Sequence, residues 1–299
     1  MSIEAQSYDN STVLITGSKG YIGNELKNYF NKVGCNLIVS EDDLSNKIVW
    51  EGLINKNIDY VFHLAAAEGK NKSISMNSLS AKYLLEVCVE KKCFPKIIYA
   101  SSTNLFGNIS TGIINESCDS YPISEYSSHK FLAENYFKYY YLNYKIHSII
   151  LRIPNIYGPV SNENNLIKPV LNFVINKALL VKRINLYKNK DCLRDYLYIE
   201  DAVKAFYLSG LVKNEHCDGS FYIIGSDFRG TIEDISEKIK MQLDNLEINL
   251  DNKFVLDPME FRNFTTDSSK FKNISNWVCE VPIDEGIALT IDFLKKRNP

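Results

Sequence analysis

The stretch VLITGSKGYIG, residues 13–23, joins a short apolar run to a turn with three evenly spaced glycines. Residues 13–16 are typical of a buried strand, and residues 24–33 have a helical pattern. Glycines between a strand and a helix let the backbone approach a pyrophosphate, whose charge the helix N-terminus stabilises. A simple tight turn has the same composition, but the position after the first strand favours a dinucleotide-binding turn.

Short β-branched runs alternate with helical patterns through the first half of the chain. We predict strands at residues 13–16, 37–40, 60–64, 96–100 and 147–152, and helices at residues 24–33, 79–91 and 126–142. Such alternation is typical of a parallel sheet covered by helices on both faces. The predicted fold class is therefore α/β, with a Rossmann-type doubly wound parallel sheet and a smaller C-terminal substrate-binding part.

The pattern changes after Tyr157-Gly158-Pro159, where a polar segment precedes a helix that we expect to begin near Leu166. We assign residues 1–158 to the dinucleotide-binding Rossmann domain, to which the chain returns at about 195–225. Residues 159–194 and 226–299 are assigned to the substrate-binding part. No low-complexity linker separates the parts, so we expect them to be tightly joined.

Composition excludes several classes of protein. Of the 299 residues, 45% are hydrophobic and 23% charged, and the net charge is −2, so neither disorder nor a nucleic-acid partner is expected. No apolar run approaches 18 residues, which argues against a membrane partner, and the polar N-terminus is unlike a signal peptide. The seven cysteines and four histidines lack metal-ligand spacing. We therefore expect reduced thiols, no metal and a cytoplasmic location.

Glu41 is the acidic residue at the end of the second predicted strand, 18 residues beyond Gly23. A carboxylate there would accept from ribose hydroxyls and repel a 2′-phosphate, which favours NAD. Lys19, inside the glycine turn, would instead attract a 2′-phosphate, unless it is a solvated surface lysine. Asp43 and Leu44 are candidates to flank the adenine. We predict NAD or NADP as the cofactor, with NAD favoured.

A second candidate group consists of Ser102, which follows the predicted strand 96–100, and the pair Tyr126 and Lys130. The pair is spaced four residues apart, so both side chains project from one helical face. An ammonium group beside a phenol lowers the phenol's pKa from about 10, which makes Tyr126 a usable proton acceptor or donor. Ser102 would hydrogen-bond the same substrate oxygen. A surface helix pair is the alternative, but the glycine turn and the Ser101-Ser102 strand end favour catalysis.

These residues together resemble the extended short-chain dehydrogenase/reductase family, the NAD(P)-dependent epimerases, dehydratases and reductases of nucleotide sugars. The resemblance runs nearly end to end, and His63 begins a segment similar to the family's fourth-strand H-x-A-A. The other matching segments are T-G-x-x-G-x-I-G at 16–23, S-S-x-x-x-F-G at 101–107, Y-x-x-x-K at 126–130, R-x-x-N-x-Y-G-P at 152–159 and R-D-Y at 194–196.

The resemblance implies a set of site residues and a homodimer built on the helices predicted at 79–91 and 126–142. The implied catalytic residues are Ser102, Tyr126 and Lys130. The implied cofactor-binding residues are Gly17, Lys19, Gly20, Tyr21, Ile22, Gly23, Glu41, Asp43, Leu44, Leu64, Ala65, Ala66, Asn77, Tyr126, Lys130 and Pro154. The implied substrate-binding residues are Thr103, Asn155, Asn165, Leu166, Arg194 and Arg262.

Two arginines are assigned to the diphosphate of a nucleotide sugar by the same resemblance. A guanidinium group suits phosphate because it forms paired hydrogen bonds. Arg194 would grip the diphosphate, unless it forms a surface ion pair with Asp191 or Asp195. Arg262 would be a second phosphate contact.

Departures from the family pattern reduce the number of reactions that the chain is expected to catalyse. Thr103 and Asn104 stand where 4,6-dehydratases carry an Asp-Glu pair, and neither side chain exchanges protons near neutral pH. Asn104 and Val160-Ser161 also replace the cysteine and histidine of the 3,5-epimerase/reductases. Hydride transfer at C4 of a nucleotide-diphosphate sugar remains.

Three functions fit these departures. A reductase of a 4-keto-6-deoxy sugar nucleotide is favoured, because the loop at 67–77 is short and suggests an open site. A 4-epimerase with tightly bound NAD is the first alternative. A non-catalytic NAD(P)-sensing protein is the second, since a fold does not determine function.

Overall fold

Strands and helices alternate along the residues that the computed structural model describes, which are 7–55, 57–67, 76–108, 112–250 and 262–297. The strands are β1 (Thr12–Thr16), β2 (Asn36–Ser40), β3 (Tyr60–His63), β4 (Lys96–Ser102), β5 (Gly112–Ile114), β6 (Ser148–Ile153), β7 (Asn155–Tyr157), β8 (Arg183–Leu186), β9 (Leu193–Arg194), β10 (Tyr196–Tyr198), β11 (Asp218–Ile223), β12 (Gly230–Thr231), β13 (Glu247–Leu250) and β14 (Phe264–Thr266). The helices are α1 (Tyr21–Phe30), α2 (Lys47–Leu53), α3 (Met76–Lys91), α4 (Glu125–Tyr144), α5 (Val170–Val181), α6 (Ile199–Leu211), α7 (Ile232–Met241), α8 (Ser269–Ser275) and α9 (Ile283–Arg297).

Six strands form one parallel sheet in the order β2-β1-β3-β4-β6-β11. The chain adds β2 on one side of β1 and then crosses over to add β3 on the other side. In such sheets a crevice opens outside the carboxyl ends of the strands where the order reverses. The predicted Rossmann-type α/β fold is confirmed.

Helices cover both faces of this sheet. Val13 and Ile15 of β1 point to the face that α1 and α6 cover, whereas Leu14 points to the face that α2, α3 and α4 cover. This alternation follows from the two-residue period of a strand. Because both faces are buried, β1 is apolar along most of its length.

Outside the main sheet, short strand pairs build the region beyond its carboxyl edge. The strands β7 and β10, β8 and β13, and β5 and β14 pair in parallel, and β9 and β12 pair antiparallel. The carboxylate of Asp201, in the first turn of α6, accepts hydrogen bonds from the backbone N–H groups of Glu280 and Val281, both at 3.0 Å. It thereby fixes the chain before α9 to the start of α6.

The structure differs from the sequence predictions at two places. The helix expected near Leu166 begins at Val170, because Pro169 forms its N-terminal boundary. Of the segment 195–225, β11 joins the main sheet, but β10 pairs with β7 outside it.

Other expectations are not tested by the described residues. The short loop between Ala67 and Asn77 lies outside them at 68–75, as do 251–261 of the predicted substrate-binding part. The division into two domains therefore stays a prediction. No helix in the described part of the chain is long and apolar enough to cross a membrane.

His63 connects three elements at the centre of the fold. Its Nδ1 lies 2.8 Å from Thr16 Oγ1 on β1, and its Nε2 lies 3.1 Å from Ser80 Oγ on α3. Burial, together with the charge of Lys130, lowers the pKa of His63 to about 3. The ring is therefore neutral in the folded protein at any pH at which the protein is expected to work.

We expect the contribution of His63 to the free energy of unfolding to fall as the pH drops below about 6.5, because the unfolded chain then binds a proton at His63 that the folded chain excludes. The slope due to this residue should approach 1.4 kcal/mol per pH unit, or about 2 kcal/mol between pH 7 and pH 5. Urea unfolding of the wild type and of His63→Gln at pH 7, 6 and 5 measures the difference in slope. The control His216→Gln, at a partly exposed ring, should keep the wild-type slope. Equal slopes for wild type and His63→Gln would contradict the assignment.

Candidate active site

The glycine turn after β1 packs against the end of β3 at a distance that only glycine permits. Gly17 has a φ of +72°, and a Cβ there would lie 2.6 Å from the backbone nitrogen of Ala65. A Cβ on Gly23 would lie 2.1 Å from the carbonyl oxygen of Gly17. Both glycines are therefore required for the turn to bring β1, β3 and α1 together.

The N-terminus of α1 opens at this turn without a side-chain cap. Gly20 is the N-cap residue and has no side chain that could accept hydrogen bonds from the first N–H groups of the helix. Ser18 Oγ, in the same turn, is buried and has no hydrogen-bond partner among the described residues. Free N–H groups and a positive dipole end are suited to a phosphate group. The turn fits the pyrophosphate of a dinucleotide.

Lys19 and Glu41, which the sequence sets against each other, form an ion pair across the rim of this crevice. Their side chains are 73% and 47% exposed, so water screens the pair. The carboxylate of Asp43 is exposed and accepts a hydrogen bond from Ser45 N–H at 3.0 Å. Leu44 is buried in the core, so its side chain does not flank an open adenine site.

The segment after β3 forms the next part of the crevice wall. Leu64, Ala65 and Ala66 are half-buried there. The side chain of Asn77 is buried, accepts from the N–H of Ala67 at 2.8 Å and donates to its carbonyl oxygen at 3.0 Å. Asn77 therefore holds this segment in place through its backbone.

The first turns of α1 also bind the chain that follows β7. The hydroxyl of Tyr21 donates to the carbonyl oxygen of Gly158, and Asn172 donates to the same oxygen at 2.7 Å. The carboxylate of Glu25 accepts from the N–H of Ser161 at 2.8 Å. Ile22, next to Tyr21, packs against the core. The dinucleotide turn and the predicted substrate-binding part are thus joined by direct hydrogen bonds.

The candidate catalytic residues lie where α4 meets the end of β4. Ser102 ends β4, and its Oγ accepts from Asn104 N–H at 3.1 Å at the start of a 3₁₀ turn, Thr103–Phe106. On α4, which packs against this turn, Tyr126 lies in the first turn and Lys130 one turn later. Lys130 is only 2% exposed, and its Nζ donates to Ala100 O at 2.8 Å.

Lys130 is a buried ammonium group with defined contacts on β4. Besides Ala100, it contacts the ring of Tyr99, whose centroid is 4.6 Å from Nζ. Burial raises the pKa of Tyr99 well above its usual value, and the neighbouring Tyr126 adds to this shift. Tyr99 therefore stays a neutral phenol, and the role predicted for Tyr126 does not pass to it.

Glu134 and Arg152 form a buried ion pair that no sequence pattern predicted. Glu134 lies on the α4 face of Tyr126 and Lys130, and its carboxylate pairs with Arg152 of β6. The available signal was the continued four-residue spacing from Tyr126 through Lys130 to Glu134. Contact with Arg152 could not be read from spacing, because it depends on how β6 aligns with β4.

The two arginines that are candidates for binding the diphosphate lie next to each other, beside the 3₁₀ turn that follows Ser102. Nη1 of Arg194 donates to the carbonyl oxygens of Leu193, at 2.9 Å, and of Arg262. Arg262 in turn donates to Asn104 Oδ1, two residues after Ser102. The alternative for Arg194 is not favoured, because Asp191 pairs with Lys190 at 3.4 Å and Asp195 faces other partners.

Asp195 is a buried carboxylate that organises this corner. It accepts from the N–H of Ser226 at 2.9 Å, from the hydroxyl of Ser226 at 2.8 Å and from the hydroxyl of Thr266. Burial raises its pKa to about 6, although these hydrogen bonds oppose the shift. Through these hydrogen bonds, Asp195 connects Ser226, which follows β11, and Thr266 of β14 to the segment that carries Arg194.

The remaining candidates for substrate binding differ in accessibility. Asn155 is exposed and donates to Asp195 O at 3.2 Å, whereas Thr103 and Pro154 are buried. Asn165 is buried and donates to Lys19 O at 2.6 Å, and Leu166 packs in the core. The side chains of Asn165 and Leu166 are therefore used by the fold. In the described part of the chain, no cluster of three or more His, Cys, Asp or Glu side chains could hold a metal ion.

Solved structures share this fold over nearly the whole chain. UDP-glucose 4-epimerase from Thermotoga maritima, solved with UDP-glucose, aligns with a TM-score of 0.83 and 21% identity, covering 96% of this chain and 100% of the other. The dTDP-glucose 4,6-dehydratase from Bacillus anthracis, in complex with NAD, aligns with a TM-score of 0.80 and 20% identity, covering 96% and 97%. At these identities the likeness concerns the fold alone.

Proteins similar in sequence include a 4,6-dehydratase and a putative 4-epimerase. A dTDP-D-glucose 4,6-dehydratase of Dictyostelium discoideum is 30% identical over 76% of this chain, which spans only 61% of that protein's length. A putative UDP-glucose 4-epimerase of Methanocaldococcus jannaschii is 24% identical over 96% of this chain and 99% of its own.

A family model matches most of the chain, from residue 13 to residue 225. Its match begins in β1, directly before the glycine turn, and ends just after β11, so it includes the six strands of the main sheet and the residues Ser102, Tyr126 and Lys130. The resemblance to extended short-chain dehydrogenases/reductases is thereby confirmed. The chain belongs to the NAD-dependent epimerase/dehydratase family.

Proposed function

We propose that this protein transfers a hydride between NAD or NADP and C4 of a nucleotide-diphosphate sugar. The observation that carries the proposal is the buried ammonium group of Lys130 on the α4 face of Tyr126, at the end of the strand that carries Ser102. This group lies on the same carboxyl edge of the sheet as the glycine turn. A protein that only senses NAD(P) has no need of an activated phenol, so we place that function last.

The residues of the crevice suit a dinucleotide. Gly17 and Gly20 would let the pyrophosphate approach the N-terminus of α1, and Ser18 Oγ would gain a partner there. Glu41 and Lys19 would meet the adenosine ribose at the rim. When bound, the nicotinamide supplies the site that accepts and returns a hydride.

Tyr126 exchanges a proton with the C4 oxygen of the sugar. Lys130 stabilises the phenolate form, because it is a buried positive charge held one helical turn away. Ser102 hydrogen-bonds the same oxygen and fixes its position. Arg194 and Arg262 bind the diphosphate, and their present backbone and Asn104 contacts are exchanged for phosphate oxygens.

Two forms of the reaction remain. We favour reduction of a 4-keto-6-deoxy sugar nucleotide, and dehydration is disfavoured because Thr103 and Asn104 offer no acid or base. A 4-epimerase is the second candidate, supported by the nearly full-length match to the putative epimerase of Methanocaldococcus jannaschii. A homodimer through α3 and α4 and a cytoplasmic location stay predictions.

Absorbance at 340 nm separates the two forms. The purified protein is mixed with NADH or NADPH and a panel of 4-keto-6-deoxy nucleotide sugars, and then, without added reduced cofactor, with UDP-, dTDP-, GDP- and CDP-hexoses. A reductase oxidises NADH or NADPH in the presence of a 4-keto-6-deoxy nucleotide sugar, so the absorbance at 340 nm falls. An epimerase interconverts the nucleotide-linked hexoses, which chromatography resolves, and the absorbance at 340 nm shows no net change. Absence of conversion in both sets would refute the proposed function.

Replacement of Tyr126 by Phe should lower turnover by about 10²–10⁴-fold, because it removes the transferable proton and keeps the ring. Cofactor binding, measured by titration calorimetry, should survive the substitution. Arg194→Ala is the contrasting variant: it should raise KM for the nucleotide sugar more than it lowers kcat, since the arginine binds a remote group. Near-normal turnover in Tyr126→Phe would contradict the proton-transfer role.

We expect NAD to bind at least as tightly as NADP, because Glu41 lies at the end of β2 where a 2′-phosphate would be placed. Glu41→Gln should improve NADP binding relative to NAD by about three- to tenfold, a modest factor because the carboxylate is half exposed and paired. Lys19→Met should shift the ratio the other way. Calorimetric titration with both cofactors measures these ratios, and a tenfold preference of the wild type for NADP would show that Lys19 dominates.

A further inference from the structure

A buried ionic network lies beneath the candidate catalytic residues. Nε and Nη2 of Arg152 donate to the two carboxylate oxygens of Glu134 at 3.0 and 2.6 Å. Ser101 Oγ donates to the same carboxylate, and Arg152 Nη2 also donates to Ser120 Oγ at 2.7 Å. Arg152 is fully buried and Glu134 is 6% exposed. The network is thus nearly free of solvent screening.

Apart from Arg152 on the neighbouring strand β6, the residues of the network lie on, or shortly before, the elements that carry the candidate catalytic residues. Ser101 directly precedes Ser102 on β4, and it lies opposite Arg152 in the register of β4 and β6. Glu134 lies one helical turn beyond Lys130 on α4. Ser120 belongs to the segment that leads into α4. The network therefore connects the serine side of the site to the tyrosine side.

The guanidinium of Arg152 packs against two aromatic rings. Its guanidinium carbon lies 3.5 Å from the ring centroid of Phe221 and 4.7 Å from that of Phe106. Phe106 closes the 3₁₀ turn that Ser102 begins. The two rings, whose centroids are 6.1 Å apart, lie against adjacent sides of the guanidinium and restrict its movement there, so the hydrogen bonds of Arg152 link the position of Glu134 to β4 and to the turn.

Stability alone does not account for such a pair. Apolar residues of similar volume often serve a buried position as well, because desolvation offsets much of the attraction between the charges. What apolar residues lack is direction. Paired, charge-assisted hydrogen bonds define both distance and angle between the groups that they join.

We propose that Glu134 is a positioning residue, which acts through Arg152 and Ser101 to set the separation between the Tyr126 and Lys130 face of α4 and Ser102 on β4. The inference rests on the proposed function in taking Tyr126 as the group that moves the proton. Displacements of about 1 Å in such sites can lower rates by about 10²-fold. The network is therefore expected to affect kcat more than binding.

The decisive variant is Glu134→Met combined with Arg152→Met. It removes one negative and one positive charge together, so a change in the phenol pKa of Tyr126 reports geometry and not net charge. The pKa is measured by NMR titration of protein labelled with ¹³Cζ-tyrosine, and Tyr126→Phe identifies the resonance among the 19 tyrosines. We expect a rise of about one unit, because Lys130 no longer lies at its stabilising distance.

Ser101→Ala tests the same idea with a smaller change, in case the double variant fails to fold. It removes one hydrogen bond and no charge, and it should shift the pKa of Tyr126 in the same direction by less. Lys138→Met is the control, since Lys138 lies one helical turn beyond Glu134 on α4 and donates to Asp218 of β11 at 2.9 Å, so its loss removes a neighbouring charge without removing a hydrogen bond of the network. The control should leave the pKa of Tyr126 unchanged.

Turnover, where a substrate is found, provides the second measurement. The double variant should lower kcat by about 10–100-fold with little change in KM or in cofactor binding. A folded double variant, or a folded Ser101→Ala, with the wild-type pKa for Tyr126 would overturn the positioning role. Lack of turnover by the wild type would refute the proposed function instead, and the titration would still decide the role of Glu134.

Discussion

The close approach of Gly17 to the backbone of Ala65 keeps the chain segments that follow β1 and β3 in contact beyond the last pair of their ladder, Thr16 and His63. A side chain at Gly17 would overlap the Ala65 nitrogen, and a side chain at Gly23 would overlap the Gly17 carbonyl. The crevice at the reversal of strand order therefore takes its shape from missing Cβ atoms. The direction of α1 follows from the same contact. So does the exposure of the helix N-terminus at Gly20, where a phosphate would bind.

The same turn carries the rest of the site. Tyr21 and Glu25 on α1 hold Gly158 and Ser161, and Asn165 holds the carbonyl of Lys19. The region beyond the main sheet is thus attached to the cofactor turn by polar contacts with defined directions.

The buried charged groups near Tyr126 and Lys130 each have a specific partner. Lys130 is buried, yet the Ala100 carbonyl and the Tyr99 ring stabilise its charge. Its field, added to burial, keeps His63 neutral, and the ring serves to join β1, β3 and α3. Deeper along the same helix, Glu134 is neutralised by its bound arginine. Buried charges here are each paired with a specific group, as a low-dielectric interior requires.

Sequence by itself determined the α/β class, the glycine turn and the spacing of Tyr126 and Lys130, because these depend on periods of two and 3.6 residues and on local backbone freedom. It also indicated Glu41 and Lys19 separately. Only the tertiary structure decided that these two side chains pair, that Leu44 and Leu166 lie in the core, and that Glu134 binds Arg152. Each of those outcomes depends on the register and packing of elements far apart in the chain. No local pattern encodes such distances, because they are set by how the whole core closes.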